Sequence, residues 1–194
     1  MIEITHRLPH GDSPEGAIKL LGPDDVAWGV WDSSANLATD SLVAMDGAPR
    51  LIVWSGWLGD EPFERHPGTW MPSGLEALNG AVDAWLASPA SEATRLVLRP
   101  HARHVLCDPQ RCFSFLRART DQPIGLALDP DALLEDSMHG TRDEHLDRTF
   151  EALGPMCDAV WVGDRSGDDE IRARITRWCA ADVAVIVAPV RSGA

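Results

Sequence analysis

Short apolar runs alternate with longer stretches of helical spacing along most of the chain. Seven runs read as buried strands, at residues 2–5, 26–31, 51–57, 95–98, 124–129, 159–163 and 183–188. Several lack polar alternation, the pattern of parallel strands covered on both faces. Leu75, Leu78, Val82, Trp85 and Leu86 fall at three- and four-residue steps, which predicts a helix over 74–87 with one apolar stripe. Cys112, Phe113 and Leu116 predict a second helix after Asp108-Pro109, where Asp suits the N-cap and Pro the first helical position. Leu146, Phe150 and Leu153 mark a third, stopped at Gly154-Pro155. Ile171, Ile175 and Trp178 mark a fourth, with Asp168, Asp169 and Glu170 at its positive end. Residues 34–44 carry a weaker helical signal. Residues 59–73, with Pro62, Pro67, Gly68 and Pro72, read as one long irregular loop, the kind of insertion that often carries function.

Strands alternating with helices predict an α/β fold around a parallel sheet, in one domain spanning 1–194. With 194 residues and 44% hydrophobic content, the chain can build a sizeable core without staples. Lys and Arg number 17 against 30 Asp and Glu, a formal charge of −13 that argues against nucleic acid or an anionic membrane as partner. No apolar run approaches the roughly 18 residues of a membrane span, and the opening MIEITHRLPH has no apolar signal core. Four Cys are too few for a disulfide framework, so a reduced, cytoplasmic protein is expected.

Ligands of parallel α/β folds meet the carboxyl ends of the strands. That rule selects His6 and Arg7, Asp32, Trp54 and Trp57, then Arg99, His101, Arg103 and His104, then Asp129, Asp131 and Asp164. This rim is richer in Arg and His than the overall acidity suggests, which suits a small anion such as a phosphate or carboxylate. Plainer readings stand beside each candidate. His101 and His104 form an HxxH that could chelate a metal, though such residues more often cap a helix or face water. Cys107 and Cys112 lack a second pair, which favours core packing over zinc. Asp129 and Asp131 read equally as paired acids or as a helix N-cap. Of the Trp residues, Trp54, Trp57 and Trp70 lie where they could line a pocket. There is no glycine-rich phosphate loop, GxSxG elbow or HExxH.

The stretch 51–164 resembles the xylose isomerase-like superfamily of sugar-phosphate isomerases and epimerases. The likeness runs through VWSGW, GLEALNGAVDAWL, RLVLRPHARHVLCDP, IGLALDPDAL and AVWVGD. It implies a TIM-like (β/α) barrel with a divalent metal at the carboxyl ends of the strands. The family's metal-binding Glu falls on Arg99, its Asp on Asp129, the His of His-x-x-Asp on Trp161 with Asp164 kept, and its last acid near Val187. One carboxylate beside an Arg does not hold a hard dication, so no family-type metal or other cofactor is expected. Arg99 could instead pair with Asp129 as an inert salt bridge, or grip an anion with His101 and Arg7 assisting.

A full barrel usually takes about 250 residues, so this chain is expected to be a reduced barrel of about seven parallel strands, the alternative being an open doubly wound sheet. An open edge would invite a homodimer. The functional expectation is a divergent, metal-free relative binding a small anionic or polyhydroxyl ligand. If it is catalytic, proton transfer by Asp129 or His101, with Arg99 stabilising an enolate oxygen, is the most coherent chemistry. A non-catalytic interaction protein on a decayed barrel is the alternative. A third reading is a metal-dependent isomerase with shifted ligands, His101, His104 and Asp131 acting with Asp129.

Overall fold

The computed structural model describes residues 2–5, 17–21, 27–31, 36–42, 48–162 and 168–187. Among the described residues eight strands occur in chain order: β1 (Ile2–Thr5), β2 (Ala17–Leu21), β3 (Ala27–Trp31), β4 (Arg50–Trp54), β5 (Arg95–Arg99), β6 (Ile124–Leu128), β7 (Cys157–Val162) and β8 (Ala184–Val187). From β3 to β8 each strand pairs in parallel with the next, giving a curled parallel sheet of six strands. β1 adds in parallel to β8. The departure from expectation is β2, which runs antiparallel to β3 along its whole length and meets β1 through the single pair Thr5↔Leu21. Only five residues separate β2 from β3. That gap is too short for a crossover helix and suits an antiparallel return.

Helices fill the connections between the parallel strands. α1 (Pro67–Trp70), α2 (Pro72–Leu86) and α3 (Ala90–Ala93) lie between β4 and β5. α4 (Pro109–Arg117), α5 (Arg142–Leu153) and α6 (Asp168–Trp178) follow β5, β6 and β7. The expected long loop is therefore shorter than the sequence suggested. Pro67 and Pro72 each open a helix, where the missing N–H costs nothing. Asp108 caps α4 as expected, its carboxylate accepting the Arg111 N–H at 2.9 Å. The weak helical signal at 34–44 corresponds, over its described residues 36–42, to a turn in which the Asn36 carbonyl accepts the N–H groups of Thr39 and Asp40. Among the described residues no helix is long and apolar enough to cross a membrane.

The two faces of the sheet differ sharply. The outer face packs Leu51, Val53, Leu96, Leu98, Leu126, Leu128, Val160 and Val185 against the helices, with Leu78, Val82, Leu116 and Phe150 opposite. The inner face is built from Trp28, Val30, Ile52, Val97, Ala127, Ala159, Ala184 and Ile186. Three of these residues are alanines, and the indoles of Trp28 and, half-buried, Trp161 pack against the same cluster.

Charge marks both ends of that inner face. At the amino ends of the strands Arg50 lies over the Trp28 ring and Arg95 pairs with Asp158 at 3.0 Å. The register between β6 and β7 shifts so that Leu126 and Ala127 face Cys157 and Ala159, which leaves Asp158 as the extra residue of a bulge. Gly125 is required beside it, because a Cβ there would overlap the Asp158 carboxylate and crowd Arg95. At the carboxyl ends stand Trp54, Arg99, Asp129 and Trp161.

Candidate functional site

Strand parity brings the carboxyl-end residues together. Trp54 ends β4 and is in register with Arg99, which ends β5. Trp161 follows Ala159 by two residues on β7 and so shares its inward side. Asp129 follows the last residue of β6.

Arg99 is the centre of the arrangement. Its guanidinium carbon lies 4.1 Å from the Trp54 ring centre and 3.9 Å from that of Trp161. One Nη donates to the Asp129 carboxylate at 2.5 Å, and both side chains are only about one-sixth exposed, at 17% and 18%. The other Asp129 oxygen accepts the Ala132 N–H at 3.3 Å, so Asp129 also serves as the turn-capping residue of Asp-Pro-Asp. Arg99 Nε is buried and has no hydrogen-bond partner among the described residues. Two aromatic faces and one carboxylate hold the cation, while part of its donor edge is unused.

The second part of the site is a ring cluster between β4, β5 and the loop that follows β4. His104 is fully buried and stacks on Trp57 and on Phe63, with ring centres 5.0 and 5.5 Å away. Its Nε2 lies 2.7 Å from the Pro62 carbonyl, which makes that nitrogen the N–H donor and leaves Nδ1 as a bare, unpartnered acceptor. Burial holds the His104 pKa down to about 3, with His101 and Arg99 pushing the same way and the Pro62 bond opposing. His101 lies 4.9 Å from His104, and its Nδ1 accepts the Arg103 N–H at 3.0 Å. Burial holds His101 at about 4, Asp129 opposing and Arg99 and Arg103 adding to the depression. Both imidazoles are therefore neutral near pH 7, each with its proton on Nε2.

Local hydrogen bonds explain why this loop takes its path. Asn36 clamps Trp57 from both sides, its amide accepting the Trp57 N–H at 3.0 Å and donating to the Trp57 carbonyl at 2.9 Å. Thr69 does the same for Leu58, at 2.8 and 3.0 Å. Gly56 has φ +81° and a Cβ there would sit 2.8 Å from the Ala38 backbone nitrogen, so the turn out of β4 requires glycine. Further out, Glu135 accepts from Arg65 at 2.6 Å and from Arg103 at 2.8 Å, tying the loop to the segment after β6.

Of the residues expected at the rim, Arg99, Asp129, Trp54, Trp57, His101 and His104 come together. Asp131 does not: it is exposed and accepts two hydrogen bonds from Arg142, at 2.8 and 3.1 Å. His6, Arg7, Asp32 and Asp164 lie outside the described residues. The shifted metal set of His101, His104, Asp129 and Asp131 is not brought together, because Asp131 turns to Arg142 and Asp129 is held by Arg99. Among the described residues no group of three His, Cys, Asp or Glu side chains is placed to hold a metal ion. The positions that the family resemblance would give to a metal carry a guanidinium and an indole beside the one carboxylate. That donor set does not fit a divalent cation.

Two contributors were missed by the sequence reading, Phe63 and Glu135, and Trp161 entered it only as the position where the family's His falls. Its place over Arg99 follows from the β6–β7 bulge, which sets the inward parity of β7. Phe63 and Glu135 reach the site only through loop paths that carry no periodic signal. No protein-family model and no curated protein sequence matches the chain.

Proposed function

We propose that this chain is a reduced (β/α) barrel, a divergent and metal-independent relative of the sugar-phosphate isomerases and epimerases, that binds a small anionic or polyhydroxyl ligand at the carboxyl ends of its strands. The observation that carries the reading is Arg99: a half-buried guanidinium at the carboxyl ends of the strands, lying over two indoles, with a buried Nε that has no partner among the described residues. A carboxylate or phosphate oxygen is the natural acceptor for that donor edge. Binding is better supported than proton transfer. Asp129 is committed to Arg99 and Ala132, and neutral His101 carries its proton on Nε2, which suits it to donate a hydrogen bond to an oxygen rather than to act as a base.

The competing reading is a non-catalytic interaction protein. It is favoured by Phe63 and Met71, the two large apolar side chains that stand out as exposed among the described residues, both on the segment after β4.

Thermal unfolding with inorganic phosphate, a hexose phosphate, a pentose and a dicarboxylate separates the two. A ligand at 100 times its Kd stabilises by about 2.7 kcal/mol, and the same addition to Arg99→Lys, which keeps the charge but loses the planar fork, is expected to give a clearly smaller shift. If no member of the panel shifts the wild-type protein, or if Arg99→Lys responds equally, the rim reading is wrong. A stoichiometric protein partner lost on Phe63→Ser would then support the alternative.

A further inference from the structure

We infer that a second ligand site lies at the amino ends of the strands, where a small monocarboxylic acid with a short apolar body binds in a cavity lined by Arg95, Arg119 and Asp158. Arg99 stands at the opposite ends of the same strands, so this site does not depend on the rim reading.

The cavity forms where β5, β6 and β7 begin. Arg95, Ile124 and Cys157 are the first residues of those strands. Arg119, just after α4, and Met156, just before β7, complete the lining. Its volume is about 290 Å³, at the small end of the roughly 300–1,000 Å³ typical of ligand pockets. Leu116, Ile124 and Met156 give it an apolar side, and the two guanidiniums and the Asp158 carboxylate give it a charged one.

Each arginine is fixed by one part and left unused at another. The Arg119 side chain is only 14% exposed, its guanidinium lies 4.2 Å from the Phe115 ring centre, and one Nη donates to Asn79 Oδ1 at 2.5 Å. Its Nε is buried and has no hydrogen-bond partner among the described residues. Asp83 pairs with it only at 3.9 Å and is largely exposed, so solvent screens that charge. Arg95 Nε lies 3.0 Å from the Asp158 carboxylate but outside hydrogen-bond geometry, so that pair is held by charge alone. Asp158 is itself fixed by the bulge and by accepting the Leu126 N–H at 3.2 Å. Buried donors without acceptors are costly, and an oxyanion in the cavity supplies the acceptors.

Charge and shape then select the ligand. Two guanidiniums against one carboxylate leave a single positive charge on the lining, which one further carboxylate balances. A phosphomonoester would bring about two negative charges beside Asp158. A planar carboxylate also matches the planar donor edge of a guanidinium, and the apolar side covers a short alkyl body.

The test titrates the ¹⁵N-labelled wild-type protein with hexanoate, its uncharged counterpart hexanamide and butyl phosphate. The arginine Nε–H cross-peaks, assigned through the backbone, report where each probe binds. Hexanoate is expected to move the Arg119 cross-peak saturably, with a Kd on the order of 1 mM, and hexanamide to leave it in place. The response should persist in Arg99→Lys. Thr120→Glu, which puts a carboxylate at an exposed position of the lining, should weaken hexanoate at least about tenfold. An Arg119 cross-peak that hexanoate does not move overturns the inference, as does an equal response to hexanamide or a stronger one to butyl phosphate. Loss of the response in Arg99→Lys, or full affinity in Thr120→Glu, overturns it too. A response confined to Arg99 sinks this site and leaves the rim reading standing, whereas one confined to Arg119 supports this site alone. The titration needs only wild-type protein, so a variant that fails to fold does not remove the test.

Discussion

Removing the Asp129 carboxylate should strand Arg99 between two indoles with no counter-charge. Breaking one partner of a fully buried pair costs about 3–5 kcal/mol; with each side chain about one-sixth exposed, we expect about 2–4 kcal/mol for Asp129→Ala. Arg99→Ala loses the same bond and two cation–π contacts worth about 0.5–2 kcal/mol each, but frees Asp129 to bind water and Ala132, so its cost should be similar. The double variant removes both charges at once and should cost about 1.5–3 kcal/mol less than the sum of the singles. Urea unfolding of the four proteins at one pH reads this directly. For a domain of this size about 2–4 kcal/mol also lowers Tm by roughly 4–16 °C. If Asp129→Ala stays within about 0.5 kcal/mol of wild type and the singles simply add, the pair is solvated and screened. Arg99 would then not be the constrained cation that the proposed site requires.

Three other outcomes follow from the same geometry. His101 and His104 are held near 4 and 3 against an ordinary 6.5, so the unfolded chain binds more protons below pH 6.5. Stability from these groups is complete above pH 6.5 and is lost as pH falls toward the folded values, by up to about 1.4 kcal/mol per pH unit for each histidine. Urea midpoints at pH 7, 6 and 5 check it, and a flat profile would refute it. Gly125→Ala should cost at least about 1–3 kcal/mol by forcing apart Arg95 and Asp158; an unchanged midpoint would show that the bulge relaxes freely. Asp108→Ala should cost about 1 kcal/mol through the lost cap on α4, seen as a lower urea midpoint with an unchanged m-value.

The parts of the fold that could be read from sequence are those set by local pattern. The apolar stripe of α2, the Asp-Pro start of α4 and the unbroken apolar runs of β4 to β6 each carry their signal within a few residues. β2 does not. AIKLL is short and follows a stretch rich in Gly, Pro and charge, and its strand character comes from lying against β3. The site divides in the same way. Arg99 opposite Asp129 was legible because both end strands that are easy to see. Trp161 over Arg99 depends on the β6–β7 bulge, which sets the inward parity of β7 and which no residue of that strand announces. Phe63 on His104 depends on the Asn36 and Thr69 clamps, which act across 21 and 11 residues.

The pairing of β1 with β8 has a consequence for the order in which the molecule is made. Ile2 sits beside Ala184, so β1 leaves the ribosome 182 residues before its parallel neighbour. At synthesis rates of about 5–20 residues per second, that edge waits on the order of 10–35 s for its partner. The β4–β6 segment, whose partners are nearer in sequence, has time to assemble with its helices meanwhile. Nascent chains halted before residue 184 should therefore protect β5 and β6 from proteolysis while leaving β1 open to cleavage.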